Sequence, residues 1–451
     1  MRDGSRKSRF WLAAAALALS GAAHADEPLT LREAMARARE NAGEVVAAGA
    51  RAEAAEARVR QARGFRLPAV NVSEIYTRTN SAAEAFALKL NKGAFSFPDF
   101  VANDPNDPAW LGAAITRVEA TFPVFTGGEL SARIAQARSA AEAAGKTAGF
   151  AADTAALNAA EAYVKVAQAE EYVRLLTASR STVSAHVELA RAYAGEGMLV
   201  RSEVLRAEVE LARIEDLLSE AEGNVRLASA NLAFRLGEGG ASRYELAALP
   251  PPAPIDGEVS AWLASAADRA DLQAARSLLR AGELEARVKG AAFLPKAGLM
   301  ARYDLVGTRL FGNDSRAGTL MAVLQWNVFA GFSDKAAVAA AKADARAGRA
   351  DLERFGEGVR LEARQAFEEA RTARERHATS LKALEAAREG ERIVNERFRS
   401  GVVKMLDVLD AATARREAET RELVARAEAQ LTGFHLASKA GRRPETLLEE
   451  R

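Results

Sequence analysis

From Gly331 to Ser400 the chain has no proline, and Leu352, Phe355, Val359, Ala363, Phe367 and Ala370 recur at three- and four-residue steps with charged residues between them. That spacing puts the apolar side chains on one helix face and is of the coiled-coil type. Roughly seventy residues at 1.5 Å rise make a rod of roughly 105 Å, about six times an ordinary globular helix. The stretch before the rod has a different period: Leu320, Ala322, Leu324, Trp326 and Val328 oppose Gln325 and Asn327, the alternation of a strand with one apolar face. Beyond the rod, Gly401-Val-Val-Lys404-Met-Leu-Asp407-Val-Leu-Asp410-Ala411 reads as a turn into a last helix, predicted to end near residue 439.

The same unit occurs earlier. Phe122-Pro-Val-Phe-Thr-Gly-Gly128 aligns with Trp326-Asn-Val-Phe-Ala-Gly-Phe332 at an offset of 204 residues, and the same offset carries Gly197 onto Gly401 and Ser202-Glu203-Val-Leu onto Leu406-Asp407-Val-Leu. Leu67-Pro68 aligns with Leu294-Pro295 at an offset of 227, so the first copy has 23 additional residues between its two strands. A repeat of this length sets the fold before any single element does.

In chain order, Thr30-Leu-Arg-Glu33 is a capping box that starts a helix predicted over residues 30–66. A strand over 68–77 follows, its apolar side interrupted by Glu74, and then a long surface loop over 78–114 rich in Asn, Asp and Pro. Thr116, Val118, Ala120, Phe122 and Val124 oppose Arg117, Glu119 and Thr121 in the next strand, which leads into the first rod. A shorter helix is expected over 201–236, and in the second half a helix over 259–291 and a strand in which Ala297, Leu299, Ala301, Tyr303 and Leu305 oppose Lys296, Arg302 and Asp304. Residues 307–318 form a shorter loop. The resulting organisation is a signal peptide (1–25), a first repeat (26–248), a Pro-rich linker (249–258), a second repeat (259–440) and a loose charged tail (441–451).

The signal peptide rests on basic Arg2, Arg6, Lys7 and Arg9, the apolar run 10–20 and the small-x-small site Ala23-His-Ala25. Removing those four bases and Asp3 from a formal net charge of +1 leaves −2, which offers nucleic acid no attraction. The chain contains no cysteine, hence no disulfide, and beyond the signal no apolar run reaches the ~20 residues of a membrane helix. Entry into a membrane would require a β-barrel. Four strands close no barrel, because the smallest membrane barrels need eight, so closure needs further copies of the chain. Enzyme readings find no support. His186, His377 and His435 stand singly in helical sequence without metal-ligand spacing, and Gly237-Glu-Gly-Gly240 follows a helix rather than a strand. No metal site and no cofactor are expected.

The double repeat, the Leu-Pro strand entries, the Pro-Val-Phe-Thr-Gly-Gly128 strand exit and the Gly401 to Ala411 turn together resemble the TolC family of outer-membrane efflux proteins, over nearly the whole chain after the signal. The resemblance implies a mainly α fold with a small β part. In it, long coiled-coil-like helices form an α-barrel tunnel, and four strands per chain complete a twelve-stranded β-barrel in a homotrimer. It further implies the outer membrane and its lipid as the setting, a periplasmic adaptor and an inner-membrane transporter as partners, and a passive exit duct as the function.

By the same resemblance, Asp407 and Asp410 line the entrance at the periplasmic tip. Gly197, Ser202, Glu203, Phe398, Gly401 and Lys404 belong to the tip turns and closing contacts. Phe122, Tyr303 and Trp326 are the aromatics expected near a membrane interface. An arginine of the family pattern is replaced by Val403, with Lys404 beside it. Simpler readings stand beside these: acids in a helix's first turn are favoured by its dipole, and Phe398 can be a packing residue. The rival function is a periplasmic coiled-coil adaptor or structural protein, against which the four amphipathic strands speak. The cargo is not legible.

Overall fold

The computed structural model describes residues 28–98, 104, 106–239 and 244–448; the expected signal peptide lies outside the described residues. The repeat is present element by element. The long helices Glu129–Gly195 and Ser333–Arg399 both have 67 residues, and the helices after them, Arg201–Arg235 and Met405–Lys439, both have 35. All four bounds repeat at the offset of 204. The turn glycines Gly197 and Gly401 both take the left-handed conformation that each helix reversal needs, at φ 71° and 74°. Phe332 is left-handed too, at φ 63°, where the first copy has Gly128; a side chain there costs about 1–2 kcal/mol.

Two compact units are built from pieces of both repeats. One comprises the chain up to Val45, Ala152–Trp262 and everything from Ala363 onward; the other comprises Val46–Ala151 and Leu263–Glu362.

The second of these units holds the sheet. Strands β1 (Ala69–Thr79), β2 (Leu111–Phe125), β3 (Lys296–Gly307) and β4 (Ser315–Gln325) pair antiparallel in the order β1-β2-β3-β4. Each neighbour pair runs almost the full strand length, with one bulge between Pro123 and Phe125. β1 and β4 each keep one unpaired edge. Gly127 turns the chain from β2 into the long helix at φ 63°, and a Cβ there would lie 2.8 Å from the Ala291 carbonyl oxygen. Residues 78–114 are not wholly loop, as expected from their turn residues: Ala82–Asn91 is a helix, and both flanking strands reach further into the segment. Its Ala-Ala-Glu-Ala-Phe-Ala-Leu-Lys-Leu run consists of good helix formers. The helix expected over 259–291 is broken into Val259–Ala266 and Ala270–Gly290. At the start of the second piece, buried Arg269 pairs with Asp271 and with Glu362 at 2.8 Å.

The other unit has its main core where Met35, Ala156, Ala160, Tyr163, Leu232, Leu236 and Phe434 pack. The helix expected over 30–66 breaks at Ala42 into Leu31–Asn41 and Gly43–Gly64. At the break Gly237, at φ 76°, brings its backbone so close to Asn41 that a Cβ would sit 2.1 Å from the Asn41 carbonyl oxygen. Half of the expected capping box is present: the Glu33 N–H donates to Thr30 Oγ1 at 3.2 Å, while the Glu33 carboxylate accepts from Arg37 at 2.6 Å. Leu29 and Leu246 form a parallel bridge, and fully buried Tyr163 closes it: its hydroxyl lies 2.7 Å from the Leu29 carbonyl and 2.8 Å from that of Ala247. Burial pushes the phenol pKa up to about 12.

The C-terminal segment corrects the expectation of a loose tail as far as residue 448. Pro444–Leu448 is a short 3-10 turn with Pro444 buried and Leu447 and Leu448 against the core. Glu445 pairs with Arg39 at 2.7 Å, and the Arg442 guanidinium stands 4.1 Å from the Trp262 ring centre. Charge suggested solvation here, yet these charges have partners on other elements.

Tyr163→Phe removes the side-chain donor shared by the two carbonyls, of which the Leu29 oxygen also accepts the Ala247 N–H at 3.0 Å. The expected cost is about 1–3 kcal/mol, read as a lower denaturant midpoint and faster amide exchange at Leu29 and Ala247; an unchanged midpoint would show that water replaces the hydroxyl.

Candidate functional site

The sheet is the first element of the site, and its register sorts side chains into two faces. Val70, Val72, Val118, Phe122, Leu299, Tyr303, Leu320 and Leu324 share one face, and all of them are exposed. The opposite face carries Asn71, Arg117, Glu119, Arg302 and Asp304. There Arg117 makes a two-pronged bond to Asp304 at 2.8 and 3.2 Å, directly across the β2–β3 pair. A continuous exposed apolar face backed by a charged one is the reverse of a soluble sheet, which hides its apolar side. Glu74, which breaks the alternation of β1, lies on the apolar face toward the end formed by the β1–α and β3–β4 connections. It accepts from Thr116 Oγ1 and from the Phe311 N–H, so its carboxylate is bonded rather than left bare.

The three aromatics singled out from the sequence fall at different levels. Phe122 lies near the strand exit and Tyr303 within the body of β3. Trp326 comes one residue after β4, where its indole N–H donates to the Phe293 carbonyl at 3.1 Å.

The paired turns, in the other unit, are the second element. Val187, Ala190, Val204, Ala207, Phe398, Met405, Val408 and Leu409 form one buried cluster that binds both turns together. Phe398 is 6 % exposed, and Tyr193 stacks on it at 6.0 Å between ring centres, a partner the sequence reading missed. Val403 packs against this cluster. Asp407 and Asp410 are both exposed on the helix side away from the cluster, as are Ser202 and Lys404. Asp407 Oδ2 also accepts the Lys404 backbone N–H at 2.9 Å, capping its own helix. Its repeat counterpart Glu203 holds a buried Oε2 with no hydrogen-bond partner among the described residues.

Further along the same helices lies a group the sequence did not reveal, because its members are dispersed in the chain. His186 has a buried Nε2 without a hydrogen-bond partner among the described residues, and burial, then the Arg415 charge, push its pKa below the usual value. Arg415 Nε stands 3.0 Å from Glu391 Oε2, an ion pair whose angle makes no hydrogen bond. Burial raises the Glu391 pKa, with Arg415 opposing. Arg416 pairs with Glu210 at 2.7 Å across to the first copy's helix. His435 meets Glu161 at 2.7 Å and His377 meets Glu422 at 3.2 Å. Among the described residues no group of His, Asp or Glu has the arrangement of a metal site, and no helix is long and apolar enough to cross a membrane.

A sheet with an outward apolar face, attached to paired helices of 67 residues, defines a class of membrane channel in which strands meet lipid and helices carry the conduit. The chain belongs to the outer membrane efflux protein family, whose profile matches residues 34–238 and 264–442. It is 24% identical over 333 residues to protein CyaE of Bordetella pertussis, covering 72% of this chain and 70% of that one. Its fold is similar to a membrane protein from Pseudomonas aeruginosa, with a TM-score of 0.77 at 18% identity over 91% of this chain and 93% of that one. It is also similar to the outer membrane protein VceC of Vibrio cholerae, with a TM-score of 0.74 at 19% identity over 91% and 96%. The protein is therefore an outer-membrane exit duct of the efflux or secretion kind and not an enzyme, and the adaptor reading is not favoured.

The depressed His186 pKa has a stability consequence with a definite sign. Above pH 6.5 the ring is neutral folded and unfolded; below it, the unfolded chain takes up a proton that the buried ring resists, so stability falls as pH falls toward the depressed folded value. His186→Leu should flatten the dependence of the unfolding midpoint on pH below about 6.5, and an unaltered slope would assign it to other groups.

Proposed function

We propose that three copies assemble so that β4 of each pairs with β1 of the next, giving one twelve-stranded barrel. The helices of the three chains would continue it as a periplasmic tunnel, docked on a periplasmic adaptor and fed by an inner-membrane transporter. The observation that carries this is the pair of unpaired strand edges beside an exposed apolar face. Inside lipid every backbone N–H and C=O must be bonded, and an open four-stranded sheet leaves two rows of them bare. In this reading the duct is passive and the energy comes from the inner-membrane partner.

In this reading the connections at residues 80–110 and 308–314 face outside, and the turns at Gly197 and Gly401 face the periplasm. Asp407 and Asp410, exposed and on one side of their helix, face a common axis as six carboxylates. Two like charges ~4 Å apart repel by about 4 kcal/mol at an effective dielectric of 20, so the ring favours cations and binds multivalent ones. Capping by Asp407 does not oppose this, because only one of its oxygens is engaged. Glu203, Phe398 and the two glycines hold the turns closed around it.

Mass measurement of the detergent-extracted protein should give three chains; one or two would reject the assembly. A cysteine at Asn106 should react with an impermeant thiol reagent on intact cells and one at Val402 should not; reaction of both would reject the orientation. The double change Asp407→Asn and Asp410→Asn should lower cation selectivity and relieve multivalent block in planar bilayers. Wild-type behaviour in an assembled trimer would leave the two residues as helix-start acids.

A further inference from the structure

The charged face of the sheet is not charged throughout. At one end Leu111, Ala113 and Ile115 of β2 and Val306 of β3 lie, by register, on the same face as Arg117 and Asp304. Helix Ala82–Asn91 covers this patch, with Leu88, Ala113 and Val306 buried together and Leu111 and Ile115 packed around them. Ala85 is buried as well. Polar bonds fix the helix at both ends: Thr79 Oγ1 donates to Glu84 at 2.7 Å, Ser81 N–H donates to Thr79 Oγ1 at 3.0 Å, and Lys92 Nζ donates to the Gly112 carbonyl. The helix therefore sits on the face that a barrel turns inward, not on the exposed apolar face that meets lipid.

The side of the helix away from the sheet is also apolar. Ala83, Ala87 and Leu90 are exposed at positions i, i+4 and i+7, which share one face. Leu90 is 48 % exposed, and Phe86 lies beside this stripe with its ring edge-on to Phe95 at 5.3 Å. Alanines on a helix face let a neighbouring helix come close.

We propose that this second face meets the same helix of the other two copies and closes the outer mouth of the duct with an apolar constriction. The inference rests on the three-copy assembly above. Its geometry follows from sheet spacing: twelve strands about 4.8 Å apart and tilted by about 40° close at a radius on the order of 12 Å. A helix is about 10 Å across with its side chains, so three of them against the inner wall leave no water-filled passage at that level. A constriction lined by apolar side chains stops ions and hydrated solutes by dewetting. It yields more readily to amphiphilic cargo that can wet it, so the helix at 82–91 sets which chemical class passes.

Two changes on the exposed stripe leave the Leu88 contact untouched. Because the chain has no cysteine of its own, Ala87→Cys under mild oxidation in purified trimers should yield covalently linked pairs of chains. Ser73→Cys places a thiol on the inward face opposite Arg117. On intact cells a bulky impermeant reagent should label it slowly, and at least ten-fold faster when Leu90→Asp is added. Absence of linked pairs, or equal labelling with and without Leu90→Asp, in protein that weighs three chains, overturns the constriction. Protein that weighs one chain overturns the three-copy assembly, and the constriction with it.

Discussion

A backbone amide in hydrocarbon has no water to bond, and the cost of leaving it bare is several kcal/mol per group. The rest of the protein is arranged around that constraint. Within one chain, β2 and β3 are bonded on both sides, and β1 and β4 on one side only. The apolar row from Val70 to Leu324 is exposed in the single chain, which suits contact with lipid rather than with a core of the same chain. Ion pairing follows the same division. Arg117 and Asp304 pair across strands on the face opposite the apolar row.

The helical elements depend on a different balance. With 67 residues and no proline, Ser333–Arg399 keeps most of its charges exposed and buries a narrow stripe, where Ala366 and Ala370 pack with Trp262 and Leu436. What fixes such helices is local: an apolar cluster at the turns around Phe398 and Met405, and a core around Tyr163 where the chain's first strand-like residues cross Leu246. Each is small, so single groups matter. The Tyr163 hydroxyl serves two carbonyls, and the Gly237 backbone fits where no Cβ could.

Much of this was legible in the sequence, and for a physical reason. Periodicity is written locally, so the long helices, the four strands and their two faces could be read from residue spacing, and the offset of 204 fixed the repeat. Contacts made over long sequence separation were not legible. At Ala42 the helix breaks where the Gly237 backbone approaches, the C-terminal turn docks through Arg39 and Trp262, and the buried His186 ring feels the charge of Arg415. Helix Ala82–Asn91 was hidden differently: its helix-forming residues sit within flanks of Asn, Asp and Pro that signal turns. At the turn after Gly401, the spacing of Asp407 and Asp410 suggested a shared face but not that Asp407 caps its own helix. Both functions can reside in one carboxylate.

The orientation of the sheet faces is the point on which everything else turns. Electron cryomicroscopy of the protein in lipid nanodiscs tests it directly. The account predicts a three-fold assembly with twelve strands, Val72, Phe122 and Leu320 toward lipid, and the Arg117–Asp304 pair toward the lumen. A map with the apolar face inward, or with four strands standing alone in the bilayer, would contradict it.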